Sequence, residues 1–346
     1  VDKLADRDFY ANVNGRAMSE GISPTAPSVI ADILNTELGQ DVSPTGDYDW
    51  QYAFTVNKKI NSKKLIEGIA SASPYIPRFN NMGEFKFDVI KETYSSTDDV
   101  PNSTILNDDV IDYSFSRTKI EDVYTKVEFQ YNWDYARNEF NDFNEAFVDV
   151  HYDYEYDYYG LKVIDDDPHA ESTLVISDDR GKYIRTFGTA KKFAEWMLMW
   201  SINQHLIMKV KLPLKYMYLE IGDIIRIGVP ISQGGEGVLG GVKPYGIDYT
   251  NIATLGSCNQ ILYPYFMVTS TNKTLEYCEI SAMQMHDLRA CEWTFDCFGV
   301  CGGLAVIDEC GICDGGGGDC VECFDADGSI YSPDCNGDCG GSAHEN

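Results

Sequence analysis

Leu219-Glu220-Ile221-Gly222-Asp223-Ile224-Ile225-Arg226-Ile227 sets one glycine between two apolar runs. A chain that turns a tight corner and returns at once to strand places Gly at the bend, so the stretch reads as the corner of a β-barrel. On its C-terminal side the pattern predicts strands over 265–269 and 275–283, around the polar turn Thr271-Asn272-Lys273. On its N-terminal side Ala190, Phe193, Ala194, Met197 and Ile202 recur at helical spacing. They predict the longest helix, over about 189–206, with Pro213 preventing any extension. Its apolar face is wider than one stripe, so it should pack on two sides.

Nearer the N-terminus, 8–15 alternates like a strand and ends at Gly15. Val29, Ile30, Ile33, Leu34 and Leu38 then form a helical face, with Pro27 in the first turn and Gly39 placed to end the helix in a left-handed conformation. Phe54-Thr55-Val56 reads as a short strand, and Ser62 is placed to cap a second helix whose Leu65, Ile66 and Ile69 share a face. Asn80-Asn81-Met82-Gly83 is turn chemistry, after which Phe85, Phe87 and Val89 alternate with charged neighbours as in a half-buried antiparallel strand. Residues 91–112 are rich in Ser, Thr and Asp and read as a loop or linker, and 120–133 resumes strand alternation. The expected class is α+β and strand-rich: a mixed sheet with two packed helices, then a β-barrel-like domain and a small disulfide-rich tail. The expected domains are 1–112, 113–290 and 291–346.

The 346 residues carry 27 Lys and Arg against 55 Asp and Glu, a net charge of −28 that repels polyanions and disfavours stable nucleic-acid binding. The 23 Tyr and 16 Phe suit pleated, strand-paired surfaces. Between Asp134 and Asp179 fourteen acids face two bases, with aromatics interleaved as in Tyr152-Asp153-Tyr154-Glu155-Tyr156-Asp157. That run reads either as a strand with one aromatic and one acidic face or as a solvated loop. No stretch has the roughly 18 apolar residues of a membrane span. Val1-Asp2-Lys3 carries no secretory signal and reads as cut from something longer.

No constellation for bond chemistry stands out. Gly235-x-Gly237-x-x-Gly240 matches a dinucleotide-binding pattern, but Gly241-Val242-Lys243-Pro244 follows where a helix N-terminus would be needed, so the stretch reads as a loop. His151, His169, His205, His286 and His344 lie far apart, and no pair has the i, i+4 spacing of a helical zinc site, so surface or packing roles are expected. There is no G-x-S-x-G and no P-loop, and the acids are too many for any one pair to mark a glycosidase. No catalytic residue and no cofactor is expected.

All eleven cysteines lie between Cys258 and Cys339. Eight of them, Cys297, Cys301, Cys310, Cys313, Cys320, Cys323, Cys335 and Cys339, belong to four copies of a short Asp- and Gly-rich unit. With almost no aliphatic side chains, that tail needs disulfides or a metal to order it. Only six residues separate Cys313 from Cys320, against the roughly 15 to 20 of a zinc ribbon, which favours disulfides formed outside a reducing cytosol. Asp325 and Asp327, in Asp325-Ala326-Asp327-Gly328-Ser329, resemble the start of a calcium loop but lack its downstream Glu. They are weak calcium ligands at most, and an ordinary Asp-Gly turn is the competing reading.

Six phrases, taken in order, resemble the hub or tip-attachment (baseplate hub) proteins of long-tailed bacteriophages. They are 9–15, Pro27 to Leu34 running into Glu37-Leu38-Gly39, Leu65-Ile66-Glu67-Gly68-Ile69-Ala70, Asn81-Met82-Gly83-Glu84-Phe85-Lys86-Phe87, the helix at 189–206, and 219–224. The resemblance spans residues 1 to about 288, while the tail resembles Asp-Cys-x-Gly-x-Cys-Gly-Gly repeats of marine microbial surface proteins. It implies a non-enzymatic virion protein at the tail tip, forming a homotrimer that closes the tail tube. The implied partners are distal tail, tube and fibre proteins and the host surface, with a role in host attachment and DNA passage. An acidic wall would let DNA slide through such a passage without sticking, and on that reading part of 134–179 is expected to face the lumen or a solvent channel. The competing readings are a secreted or surface adhesin on a disulfide-stapled, calcium-binding stalk, and a hydrolase fused to a repeat. A stable monomer that binds sugars would mark the adhesin, and activity lost on changing one acid of the 134–179 run would mark the hydrolase.

Overall fold

The computed structural model describes residues 15, 23–46, 48–56, 58–94, 104–124, 126–147, 173–228, 241–247, 254–255, 260–289, 323–324 and 330–331. The chain divides into two compact units, Val1–Ala290 and Cys291–Asn346. The expected strand at 8–15, except Gly15, the glycine-rich loop at 235–240 and most of the acidic run lie outside the described residues.

Two short helices come first among the described residues. Helix α1, Ala26–Leu38, starts with proline in its first turn, buries Ile30, Ala31 and Leu34, and stops at Gly39, whose φ of 65° releases the chain from the helix. Helix α2, Ser62–Ser71, is capped by Asn61 and not by Ser62: the Asn61 side chain accepts from the amides of Lys63 at 2.9 Å and Lys64 at 3.4 Å. The stretch at 54–56 joins no ladder; Thr55 is tied instead to the Tyr135 hydroxyl, which accepts from its amide at 3.3 Å and donates to its carbonyl at 3.0 Å.

Strands β1, Tyr75–Phe79, and β2, Phe85–Val89, form an antiparallel hairpin around the expected turn, with Tyr75 opposite Val89. Two short pieces follow, β3 at Thr104–Ile105 and β4 at Asp112–Arg117, so the expected loop at 91–112 contains a strand. Strand β5, Lys126–Asp134, pairs antiparallel with β6, Glu139–Phe147, and parallel with β7, Thr173–Ile176. Its expected start at 120–122 is a single tight turn.

Helix α3 runs Phe187–Ser201, shorter than its periodicity implied. Ile202 and Leu206 keep helical spacing, but the chain between them is claimed by tertiary partners. Asn203 Nδ2 donates to Gln260 Oε1 at 2.9 Å, the His205 amide donates to Thr118 Oγ1 at 3.0 Å, and Leu206 opens strand β8, Leu206–Leu212, opposite Arg117 of β4. The remaining strands are β9 at Ile224–Ile227, β10 at Thr254–Leu255, β11 at Ile261–Lys273 and β12 at Cys278–His286. The β11–β12 turn falls at 274–277, later than expected, where Thr274 Oγ1 accepts from the amides of Glu276 and Tyr277. In the second unit β13, Cys323–Phe324, pairs with β14, Ile330–Tyr331.

The large sheet has the order β3-β9-β11-β12-β8-β4, with β10 on β11, and mixes one parallel pair with antiparallel ones. Ile105 and Phe115, from its two end strands, pack into one core with Leu206, Met208, Ile225, Phe266 and Ile280. The end strands β3 and β4 are joined by residues 106–111, which include a tight turn at Asn107–Asp109 and are too short a link to span the about 24 Å between the ends of six flat strands, so the sheet curls in barrel-like fashion. Among the described residues no ladder closes β3 against β4. A second core joins α1, α2, β1 and β5 to α3, through Leu34, Ile69, Tyr75, Phe129 and Phe193.

Strand β11 lies between the two cores. Phe266 and Val268 face the barrel-like core, while Tyr263, Tyr265 and Met267 face the helical one. Coverage on both faces explains the unbroken burial from Leu262 to Val268. Pro264, which has no amide to donate, sits where the β11–β12 register shifts between Leu262 and Phe266. The protein is thus a strand-rich α+β molecule built on mixed sheets.

Candidate functional site: the junction between hairpin and sheet

The β1–β2 hairpin is fastened to the corner before β9. Asn80 shapes the hairpin turn by accepting from the amides of Met82 and Glu84 at 3.0 and 2.8 Å. Arg78 of β1 then reaches three carboxylates: Asp88 of β2, Glu220 before the corner, and Asp223 at 3.8 Å just after it. The amide of Asn81 donates to Glu220 Oε1 at 2.8 Å, and the Glu220 amide donates to Asp223 Oδ2 at 2.7 Å.

Gly222 makes this approach possible. Its φ is 92°, and a Cβ at that position would lie 2.5 Å from Asp88 Oδ2. Its amide donates to the Val268 carbonyl at 2.8 Å, while the Val268 amide donates back to the Asp223 carbonyl at 2.9 Å. The corner is thereby sewn to β11.

Burial opposes the Arg78 charge, but the hydrogen bonds to Glu220 and Asp88 outweigh it and raise the guanidinium above its ordinary range. Burial likewise works against the Glu220 carboxylate, and the Asn81 amide with Arg78 reverses the effect and lowers it. Asp223 is raised, chiefly by burial, against the pull of the Glu220 amide and Arg78. The arrangement is a clamp of one cation among three acids. It fixes geometry between two parts of the fold.

A second polar cluster lies deeper. The rings of His205 and His286 stack at 3.9 Å with 5° between their planes, and Trp200 covers the other side of His205 at 4.4 Å. His205 Nδ1 lies 2.8 Å from the Gln284 carbonyl and Nε2 2.7 Å from the Trp200 carbonyl. Neither nitrogen of His286 has a partner among the described residues. Burial lowers the pKa of both rings; the two carbonyls oppose this at His205, and the His205 charge adds to it at His286.

Of the cysteines named from sequence, Cys297, Cys301, Cys310, Cys313, Cys320, Cys335 and Cys339 lie outside the described residues, as do Asp325 and Asp327. Cys323 is described only as backbone of β13. Cys278 is a free thiol buried on β12. His205 and His286, set apart by their sequence distance, come together, whereas His151, His169 and His344 are outside the described residues. Arg78 and its acids carried no motif. Their signals were the Asn81–Gly83 turn and the glycine at 222, which show where two bends are but not that they meet. Among the described residues no group of three His, Cys, Asp or Glu is placed to hold a metal, and no helix is long and apolar enough to cross a membrane.

No protein-family model matches the chain, and no curated protein does. Among solved structures it is similar to a chain of the virion of a native gene transfer agent particle, at 12% identity and a TM-score of 0.46, over 75% of this chain and 46% of that one. It is also similar to the 43 kDa tail protein of prophage MuSo2 from Shewanella oneidensis, at 10% identity and a TM-score of 0.37, over 75% and 66%. A tail protein from Neisseria meningitidis MC58 matches at 8% identity and a TM-score of 0.36, over 76% and 67%. The chain thus spans about half of the first of these proteins and about two thirds of the other two. Likenesses at this depth assign neither family nor function.

Proposed function

We propose that this chain is a structural subunit of a phage or phage-like tail, placed at the hub or tip, where three copies form a ring that closes the tube. The observation that carries the reading is the Asn81–Glu220 contact. Two of the phrases that resemble hub proteins, 81–87 and 219–224, supply these residues from positions 139 apart in the chain, yet they meet in one ionic clamp. The other phrases within the described residues supply α1, α2 and α3, which share one core with the hairpin. A rigid joint between hairpin and barrel-like sheet is what a load-transmitting ring subunit requires.

Charge supports the same reading. At −28 the surface repels phosphate, as the wall of a DNA passage must. In this account part of the 134–179 run lines the passage, the ring contacts neighbouring tube and fibre proteins, and the tail end takes part in host attachment. Immunogold labelling of intact particles with an antibody to this chain tests the placement. Label confined to one end of the tail is expected, and label over the shell or along the whole tube contradicts it.

A further inference from the structure

Arg226 of β9 is 6% exposed and is the only buried arginine among the described residues. Its neighbours on the strand, Ile225 and Ile227, both face the barrel-like core, so alternation turns Arg226 to the opposite face of the sheet. Thr104 of β3 stands beside it in the parallel register, next to Ile105, which also faces the barrel-like core. On the other side β9 pairs with β11 through Ile224 with Met267 and Ile225 with Phe266. One step further along that register Tyr265 stands opposite Arg226, on the face away from Phe266. Thr104, Arg226 and Tyr265 thus form one row across three adjacent strands, a guanidinium between two hydroxyls with no carboxylate in the row.

Other arginines show what this one lacks. Arg78, Arg137, Arg180 and Arg289 each reach a carboxylate, although each is more exposed. Arg226 Nε and Nη2 are buried and have no hydrogen-bond partner among the described residues. These two nitrogens share one edge of the planar guanidinium, the edge that meets both oxygens of a carboxylate in parallel hydrogen bonds. Burial works against the charge and lowers the guanidinium below its ordinary range, with Tyr265 opposing in part. A cation buried in this way is costly until a counter-charge meets it. We infer that the Arg226 edge is a binding site for a small monocarboxylate, held by Nε and Nη2 and by the hydroxyls of Thr104 and Tyr265. One negative charge matches one guanidinium, whereas a phosphate dianion would bury a surplus charge. So little of the side chain reaches solvent that a free acid the size of acetate fits the opening and the carboxylate of a folded partner does not. The inference does not depend on the ring.

Thermal unfolding of the full-length chain in acetate, against chloride at equal ionic strength, tests it. The Tm should rise with the logarithm of acetate concentration, by about 3 °C at roughly ten times the dissociation constant. Arg226→Met should lose this response and, in chloride, melt no lower than the wild type, because it removes a buried cation that has no counter-charge. Arg226→Lys keeps the charge but not the two-pronged edge, and should bind acetate about tenfold more weakly. Phosphate, read as the difference between wild type and Arg226→Met so that general salt effects cancel, should also bind about tenfold more weakly. A wild type indifferent to acetate overturns the inference, as does an acetate response that survives in Arg226→Met. An Arg226→Met chain that melts well below the wild type in chloride, or does not fold, also overturns it, by showing that the arginine is already paired within the chain. Phosphate that matches acetate, or Arg226→Lys that matches the wild type, overturns the assignment to a carboxylate on the guanidinium edge.

Discussion

The amide of Asn81, at the tip of one hairpin, donates to the carboxylate of Glu220 at 2.8 Å, and Arg78 of the same hairpin grips that carboxylate from the other side. Arg78 is 16% exposed and is the cation shared by Asp88, Glu220 and Asp223. Replacing it leaves three partly buried acids facing one another. Arg78→Met should cost about 3 kcal/mol in urea unfolding. A loss within about 0.5 kcal/mol, the size of an ordinary surface substitution, would show that the clamp is not structural.

Gly222 is constrained twice, by its φ of 92° and by the Asp88 carboxylate where its Cβ would sit. Gly222→Ala should destabilise by about 2 kcal/mol and loosen the β9–β11 joint, visible as faster amide exchange at Val268. Gly188, in the first turn of α3, has open space around it and no positive φ. Gly188→Ala should stabilise by about 0.5 kcal/mol, so the pair separates a required glycine from a replaceable one.

The stacked histidines give the fold an acid limit. Both have folded pKa values depressed by burial, so in the unfolded chain, near about 6.5, they take up protons that the folded protein refuses. Their contribution to stability is therefore complete above that pH and is lost as pH falls toward the depressed folded values. In His286→Phe, which keeps a ring against His205, the slope of stability against pH below about 6 should fall by about 1.4 kcal/mol per unit. Parallel slopes in the two proteins would contradict the burial of a neutral ring.

Asn61 and Ser62 stand side by side at the start of α2, and only Asn61 reaches the free amides. Asn61→Ala should cost about 1 kcal/mol and Ser62→Ala only a few tenths, measured by thermal unfolding. The reverse order would return the cap to Ser62.

That cap shows what the sequence could and could not disclose. Where local chemistry decides, sequence and structure agree: Pro27 and Gly39 bound α1, and Asn80 to Gly83 form a turn. Where two segments compete for the same residues, they do not. The spacing of Ile202 and Leu206 is helical, but pairing with β4 and the Gln260 side chain pulls that stretch out of α3. Strand β11 lost its alternation because both of its faces are covered, which hid its true length. The clamp was invisible for a related reason. Arg78 and Glu220 are 142 positions apart, and they meet only where the hairpin packs on the corner before β9.

The proposed function requires that three copies assemble into a ring. Light scattering on the purified full-length chain, over a dilution series and with and without reductant, tests it most directly. A mass of three chains that persists in reductant is expected if, as proposed, packing and not cross-linking holds the ring. A single-chain mass at every concentration would contradict it.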